Sequence, residues 1–233
     1  MTAVLFVGLI FGVCPAEAEE LEATIIEEVE EAVPVIFEQL TEKEKAEERE
    51  TIVTICKDQE SADYIWEKLS KHSPNDVITA GIMGYFWRES NFRSDAVAGW
   101  HTRNIGRDSD ICVEFTSEVD GGLHDGSSKD YFVEKVSLNY GGYGLGQWLS
   151  LHYLEHFYDF IRERGGSIGD AELQCEFIFE SMKQNEKLWE MLLECETAEQ
   201  AGRRIAVWYD GASSIGVEYI ASAAHMFYKE YCQ

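Results

Sequence analysis

Between residues 73 and 231 apolar positions return every three or four residues in four stretches, the period of one face of an α-helix. The first joins Ile78, Ile82, Tyr85 or Phe86 and then Glu89. Ser73-Pro74-Asn75-Asp76 opens it with a hydroxyl cap, a proline at the first position and an acid in the first turn. Asp170 precedes a second face of Leu173, Phe177, Ile178 and Met182. Thr197-Ala198-Glu199-Gln200 has the pattern of a capping box and opens a third, carrying Ile205 and Trp208; Val217, Ile220, Ala224, Phe227 and Tyr231 make a fourth. From Gly99 to Gly142 the rhythm changes. Gly, Asp, Ser and Asn punctuate short alternating pieces, Val113-Glu114-Phe115-Thr116 and Tyr131-Phe132-Val133, which read as strands. The pattern predicts a mainly α, α+β domain over residues 56–233: a helical body with a small inserted loop-and-strand lobe flanking a cleft.

The N-terminal quarter follows a different pattern. Val4 to Val13 is an apolar run too short to span a bilayer comfortably, and Ala16-Glu17-Ala18 after it is the small-x-small pattern that precedes signal cleavage. Residues 1–18 are expected to be a secretory signal, making the protein secreted or cell-wall associated, although no Lys or Arg precedes the run. Residues 19–55 are expected to be an acidic spacer, flexible or partly helical. Thirteen glutamates against Lys43, Lys45 and Arg49 between 19 and 50 repel one another and leave little apolar surface to bury.

Charge narrows the function classes. Lys+Arg number 19 against 44 Asp+Glu, for a net charge of −25. Such a surface repels nucleic acid and anionic lipid, and no basic run exceeds Arg203-Arg204. Without the signal, Cys56, Cys112, Cys175, Cys195 and Cys232 remain, an odd number, so at least one thiol stays outside any intramolecular disulfide; Cys175 with Cys195 is one pairing the order of helices permits.

Two places carry candidate chemistry. Glu89 shares the apolar face of the first helix near its C-terminus. Desolvation and the negative end of the helix dipole there both favour the protonated carboxyl, the form that can donate a proton to a leaving glycosidic oxygen. Tyr140-Gly141-Gly142-Tyr143-Gly144-Leu145-Gly146-Gln147-Trp148 is rich in glycine and aromatics. Such backbone can approach a ligand closely, Gln147 offers donor and acceptor, and Tyr143 or Trp148 offers a ring for a sugar. No Lys-Ser/Thr follows it, so it is not a phosphate loop. His152-Tyr153-Leu154-Glu155-His156 fits a zinc pattern, but a polar helix face explains it more simply, and neither metal nor cofactor is expected.

Taken together, Ala80 through Phe92, with its Arg88-Glu89-Ser90, and Tyr143 through Trp148 resemble phage tail lysozyme domains, relatives of goose-type lysozymes and soluble lytic transglycosylases. Trp208-Tyr209-Asp210 is similar to their terminal aromatic-acid turn. The resemblance covers residues 60–231 or so and implies a lysozyme-like fold that acts on the peptidoglycan glycan strand, cutting between N-acetylmuramic acid and N-acetylglucosamine. By it Glu89 is the general acid, and Ser90, Tyr143, Gly144, Gln147, Trp148 and Tyr209 bind substrate. A phage tail or secretion apparatus is the implied setting, and the protein is expected to act as a monomer. This chain departs from the family in lacking the proline that often follows Glu-Ser, and in having Asp210 where the relatives often have Glu.

A second carboxylate would decide the mechanism. Asp95, Asp108, Asp110, Glu118, Asp120, Asp125 and Asp130, in or near the insert, are candidates to activate water; with none in place, the sugar's own 6-hydroxyl attacks, as in a lytic transglycosylase. A glycan-binding module that has lost turnover is the alternative outside enzymes.

Overall fold

A computed structural model describes residues 59–97, 109–122, 126–212 and 214–232. The expected signal and spacer over 1–55, with Cys56, Asp108 and Asp125, lie outside the described residues. Among the described residues nine α-helices follow in order: α1 (Gln59–Ser70), α2 (Asp76–Ser90), α3 (Ser109–Gly121), α4 (Ser128–Lys135), α5 (Leu151–Glu163), α6 (Ala171–Lys183), α7 (Glu186–Leu193), α8 (Ala198–Ile205) and α9 (Ser214–Cys232). α4 and α8 each run on into a π turn, Val136–Tyr140 and Ala206–Asp210.

All residues of α2 from Ile78 through Trp87 are buried. A helix that is covered all round belongs in the middle of a domain, and α2 runs there against α1, α8 and α9. Its cap is Asn75 rather than the expected Ser73. Asn75 Oδ1 accepts from the Ile78 amide at 2.9 Å, while Ser73 Oγ donates to the Asn75 carbonyl at 2.7 Å. Asn caps as well as Ser does. The contact of α2 with α9 requires Gly84, where an added Cβ would lie 2.4 Å from the Ile220 carbonyl oxygen. The other helix starts are those the sequence predicts: Asp170 caps α6, and Thr197 with Gln200 forms the capping box of α8.

The inserted strand lobe is not there. Val113 to Thr116 lies in α3, and Tyr131 to Val133 in α4. Cys112, Phe115 and Val119 are buried at spacings of three and four, and the α4 turn begins on Ser127, whose Oγ accepts from the Asp130 amide. Over four residues alternation and helical spacing look alike, and burial of the longer face decided for the helix. Among the described residues, extended pairing is reduced to isolated antiparallel bridges joining Tyr143 to Val97 and to Trp148.

Stacked and edge-on rings, part of the main hydrophobic core, surround that pairing. Tyr143 packs on Phe115, Phe132 and Phe157, and Trp148 on Phe86, Phe157 and Phe177, with ring centroids 5.0–6.3 Å apart. The glycine-rich loop is thereby anchored between α2, α5 and α6. Cys175 and Cys195 are not bridged to each other. No described helix is long and apolar enough to cross a membrane.

Candidate active site

α2 ends at Ser90, and the chain turns away at once. Asn91 and Phe92 are both left-handed (φ 52° and 64°), a conformation that side chains other than glycine adopt at a cost of about 1 kcal/mol or more each. Phe92 then packs edge-on against Phe227 of α9. Glu89 is thus held at the last turn of a buried helix with its side chain 18% exposed: covered enough to be desolvated, open enough to reach a ligand.

Three elements meet there. Tyr85, one turn before Glu89, donates its hydroxyl to the Gly146 carbonyl at 2.5 Å and so ties α2 to the glycine-rich loop. Trp148 Nε1 in that loop donates to the Tyr209 hydroxyl at 2.8 Å, which also bonds Ser181 at 2.6 Å. The residue after Tyr209 is Asp210, the last of the π turn, and Arg88 returns from it to α2. Arg88 Nη1 donates both to Glu89 Oε1 and, at 3.1 Å, to Asp210 Oδ2. One guanidinium nitrogen therefore serves two half-buried carboxylates.

Desolvation dominates the electrostatics. Burial first, then the neighbouring Asp210 charge, raise the Glu89 carboxyl to about 7, and Arg88 only partly opposes them. Burial also raises Asp210, again against Arg88. At about 7 the Glu89 carboxyl is protonated in about half of the molecules at neutral pH, and in that form it can release its proton to a basic oxygen.

The family model for phage tail lysozyme matches residues 60–231, three-quarters of the chain. This protein belongs to the phage tail lysozyme family. No curated protein and no solved structure matches it significantly. Membership makes it a lysozyme-like glycosidase of the peptidoglycan-directed class.

In this member of the family the residues expected at the substrate have varied places. Ser90 Oγ donates to the Phe86 carbonyl of its own helix. Tyr143 is fully buried, its hydroxyl on Thr116 at 2.7 Å, and Trp148 is 3% exposed. Rings covered on their faces have nothing to offer a sugar, so Tyr143 and Trp148 support the site from behind; Tyr209 is partly buried and holds Trp148 and Ser181 through its hydroxyl. Gly144 is left-handed (φ 76°) and covered. Gln147, also left-handed, uses its Nε2 on the Ala96 and Gly144 carbonyls at 3.0 and 2.9 Å and leaves Oε1 as its acceptor. His152 and His156 stand 6.5 Å apart on α5, and no metal-binding group of three forms among the described residues.

Two further residues organise the site. Gln174 of α6 is completely buried. Its Oε1 accepts from the Leu145 amide at 2.8 Å, and its Nε2 donates to the Ser94 and Ile168 carbonyls at 2.7 and 2.6 Å. One amide thus holds the chain after α2, the glycine-rich loop and the α5–α6 connection; a glutamine within an apolar helical face was the available signal. The second is Arg88, whose partner Asp210 is absent from the insert carboxylates that the sequence offered. Of those, Asp95 pairs with Arg93, Glu118 accepts from Tyr131, and Asp120 holds Arg162 and the Ile168 amide.

Proposed function

We propose that this chain cleaves the peptidoglycan glycan strand between N-acetylmuramic acid and N-acetylglucosamine, with Glu89 protonating the leaving oxygen. The observation that carries the reading is a carboxyl raised to about 7 at an accessible helix end, beside a second carboxylate and a glycine-rich wall. Glycosidic cleavage needs such an acid, because the leaving alkoxide must gain a proton as the ring develops oxocarbenium character. Protonated Glu89 is the active form, so turnover falls as pH rises through about 7.

Water completes the reaction in a hydrolase; the sugar's 6-hydroxyl completes it in a lytic transglycosylase. The transglycosylase gains support from the engagement of Asp95, Glu118 and Asp120 with protein partners. The setting we propose is outside the cytoplasm, as a monomer that opens the wall locally for a phage tail or secretion apparatus.

The deciding experiment incubates purified cell wall with wild type and Glu89→Gln. Wild type should release soluble glycan fragments, and the variant about 10²–10⁴-fold less. Wall binding by both forms with release by neither identifies a glycan-binding module instead. The masses of the fragments, hydrated or anhydro, divide hydrolase from transglycosylase.

A further inference from the structure

Among the described residues Arg88 is the one cation that touches both carboxylates of the site, and its part-exposed guanidinium also lies against α9. Nη1 meets Glu89 and Asp210, while Nη2 and Cζ lie against Gly216 in the first turn of α9, where an added Cβ would be 3.0 Å from Nη2. Asp210 reaches this point through the π turn Ala206–Asp210, closed by left-handed Gly211 and by the Ala212 amide on the Ala206 carbonyl at 2.9 Å. A π turn inserted at the end of a helix costs regular hydrogen bonding and recurs at functional positions. Here it presents an acid to a neighbour 122 residues away.

We propose that Asp210 is a positioning residue for Glu89: by sharing the Arg88 guanidinium, it keeps the proton donor anchored without giving it a cation of its own. The inference rests on Glu89 being the acid, as proposed above. Coulomb's law supplies the reason. An undivided Arg88 beside Glu89 favours the carboxylate, which cannot donate; a competing anion on the same nitrogen cancels much of that pull and leaves the hydrogen bond in place. The other charged or titratable groups facing the pair are few. Tyr85 of α2 and Tyr209 of the π turn are phenols that burial holds above their ordinary range. Because Glu89 and Asp210 compete for one cation, their protonation is coupled, and the profile reports the pair.

The test is the pH profile of kcat/KM on purified cell wall for wild type, Asp210→Asn, Asp210→Glu and Arg88→Gln. Asp210→Asn should move the alkaline limb to lower pH by about one unit, a tenfold change in proton affinity, so that its loss is greater at pH 7.5 than at pH 5. Asp210→Glu should bring the limb back toward wild type. Arg88→Gln, which removes the cation, should move it the opposite way. A limb that stays put in a folded Asp210→Asn overturns the inference, as does a uniform loss at every pH that azide restores in Asp210→Gly, since that identifies a base or nucleophile. If Asp210→Asn does not fold, NMR titration of the Glu89 carboxyl in Asp210→Ser decides: a downward shift supports sharing, and an unchanged value overturns it. Wild-type turnover that survives Glu89→Gln defeats the proposed function itself and is distinguishable from each of these outcomes.

Discussion

The helices α2, α8 and α9 approach each other backbone to backbone, with Gly81, Gly84 and Gly202 at the crossings and apolar side chains filling the rest. The loop from Gly141 to Trp148 is held quite differently. Gln174, Tyr85 and Gln147 bind its backbone through side-chain hydrogen bonds, and its aromatic rings act as plugs. Close packing is non-directional and tolerates small shifts. Side-chain hydrogen bonds to buried backbone lock distance and angle, and leave costly orphans when one partner is removed. The first means supplies stability, and the second supplies the placement that proton transfer needs. Glu89 stands where the two meet.

The largest effect is expected at that junction. Glu89→Gln should lower turnover by about three decades, or ~4 kcal/mol of barrier, while the fold persists. Its stability should even improve at alkaline pH. Raised from 4.5 to about 7, the carboxyl binds its proton more tightly in the folded chain than in the unfolded one, so its contribution is fully present below pH 4.5 and is lost as pH rises through about 7. At pH 8 the variant should exceed wild type by ~2–3 kcal/mol in urea unfolding, and at pH 4 by nothing.

Gly84→Val attacks the bundle. With a Cβ 2.4 Å from the Ile220 carbonyl oxygen, α2 and α9 must separate, and about 3 kcal/mol or more should disappear from global stability, read by denaturant midpoint. Gln174→Leu attacks the loop and strands the Leu145 amide with the Ser94 and Ile168 carbonyls. A loss of ~2 kcal/mol is expected, with faster hydrogen exchange at Leu145 and a turnover deficit beyond what the stability change explains. If both variants lose activity only in proportion to unfolding, the contrast between the regions fails. Thr197→Ala, which removes the capping box of α8, should cost about 1 kcal/mol and leave the pH profile of turnover unmoved.

Legibility in the sequence divides along the same line. The faces built on Ile78, Phe177, Ile205 and Ile220 are visible because a helix repeats its environment every three to four residues, and periodicity is a local property. The strand assignment for Val113–Thr116 and Tyr131–Val133 failed because four residues are too few to separate a period of two from one of 3.6, whereas Cys112, Phe115 and Val119 together do so. At the site, Glu89 and the loop of Tyr143 through Trp148 stand out by composition. The burial of the Tyr143 and Trp148 rings does not, since one aromatic residue reads the same whether its face meets a sugar or Phe157.

By itself, then, the chain determined four of its helical faces, the caps at Asp170 and Thr197, the acid at the end of α2 and the family to which it belongs, all written in neighbouring residues. Only the tertiary structure decided that Arg88 lies between Glu89 and Asp210, that Gln174 joins three loops, and that the glycine-rich segment faces α2 through Tyr85. Apart from the adjacent Arg88–Glu89 pair and the Gln174–Ile168 bond, those contacts span 29 to 122 residues, and the desolvation that raises Glu89 comes from the whole of its surroundings. Burial is a property of the packed molecule, and no local pattern of residues encodes it.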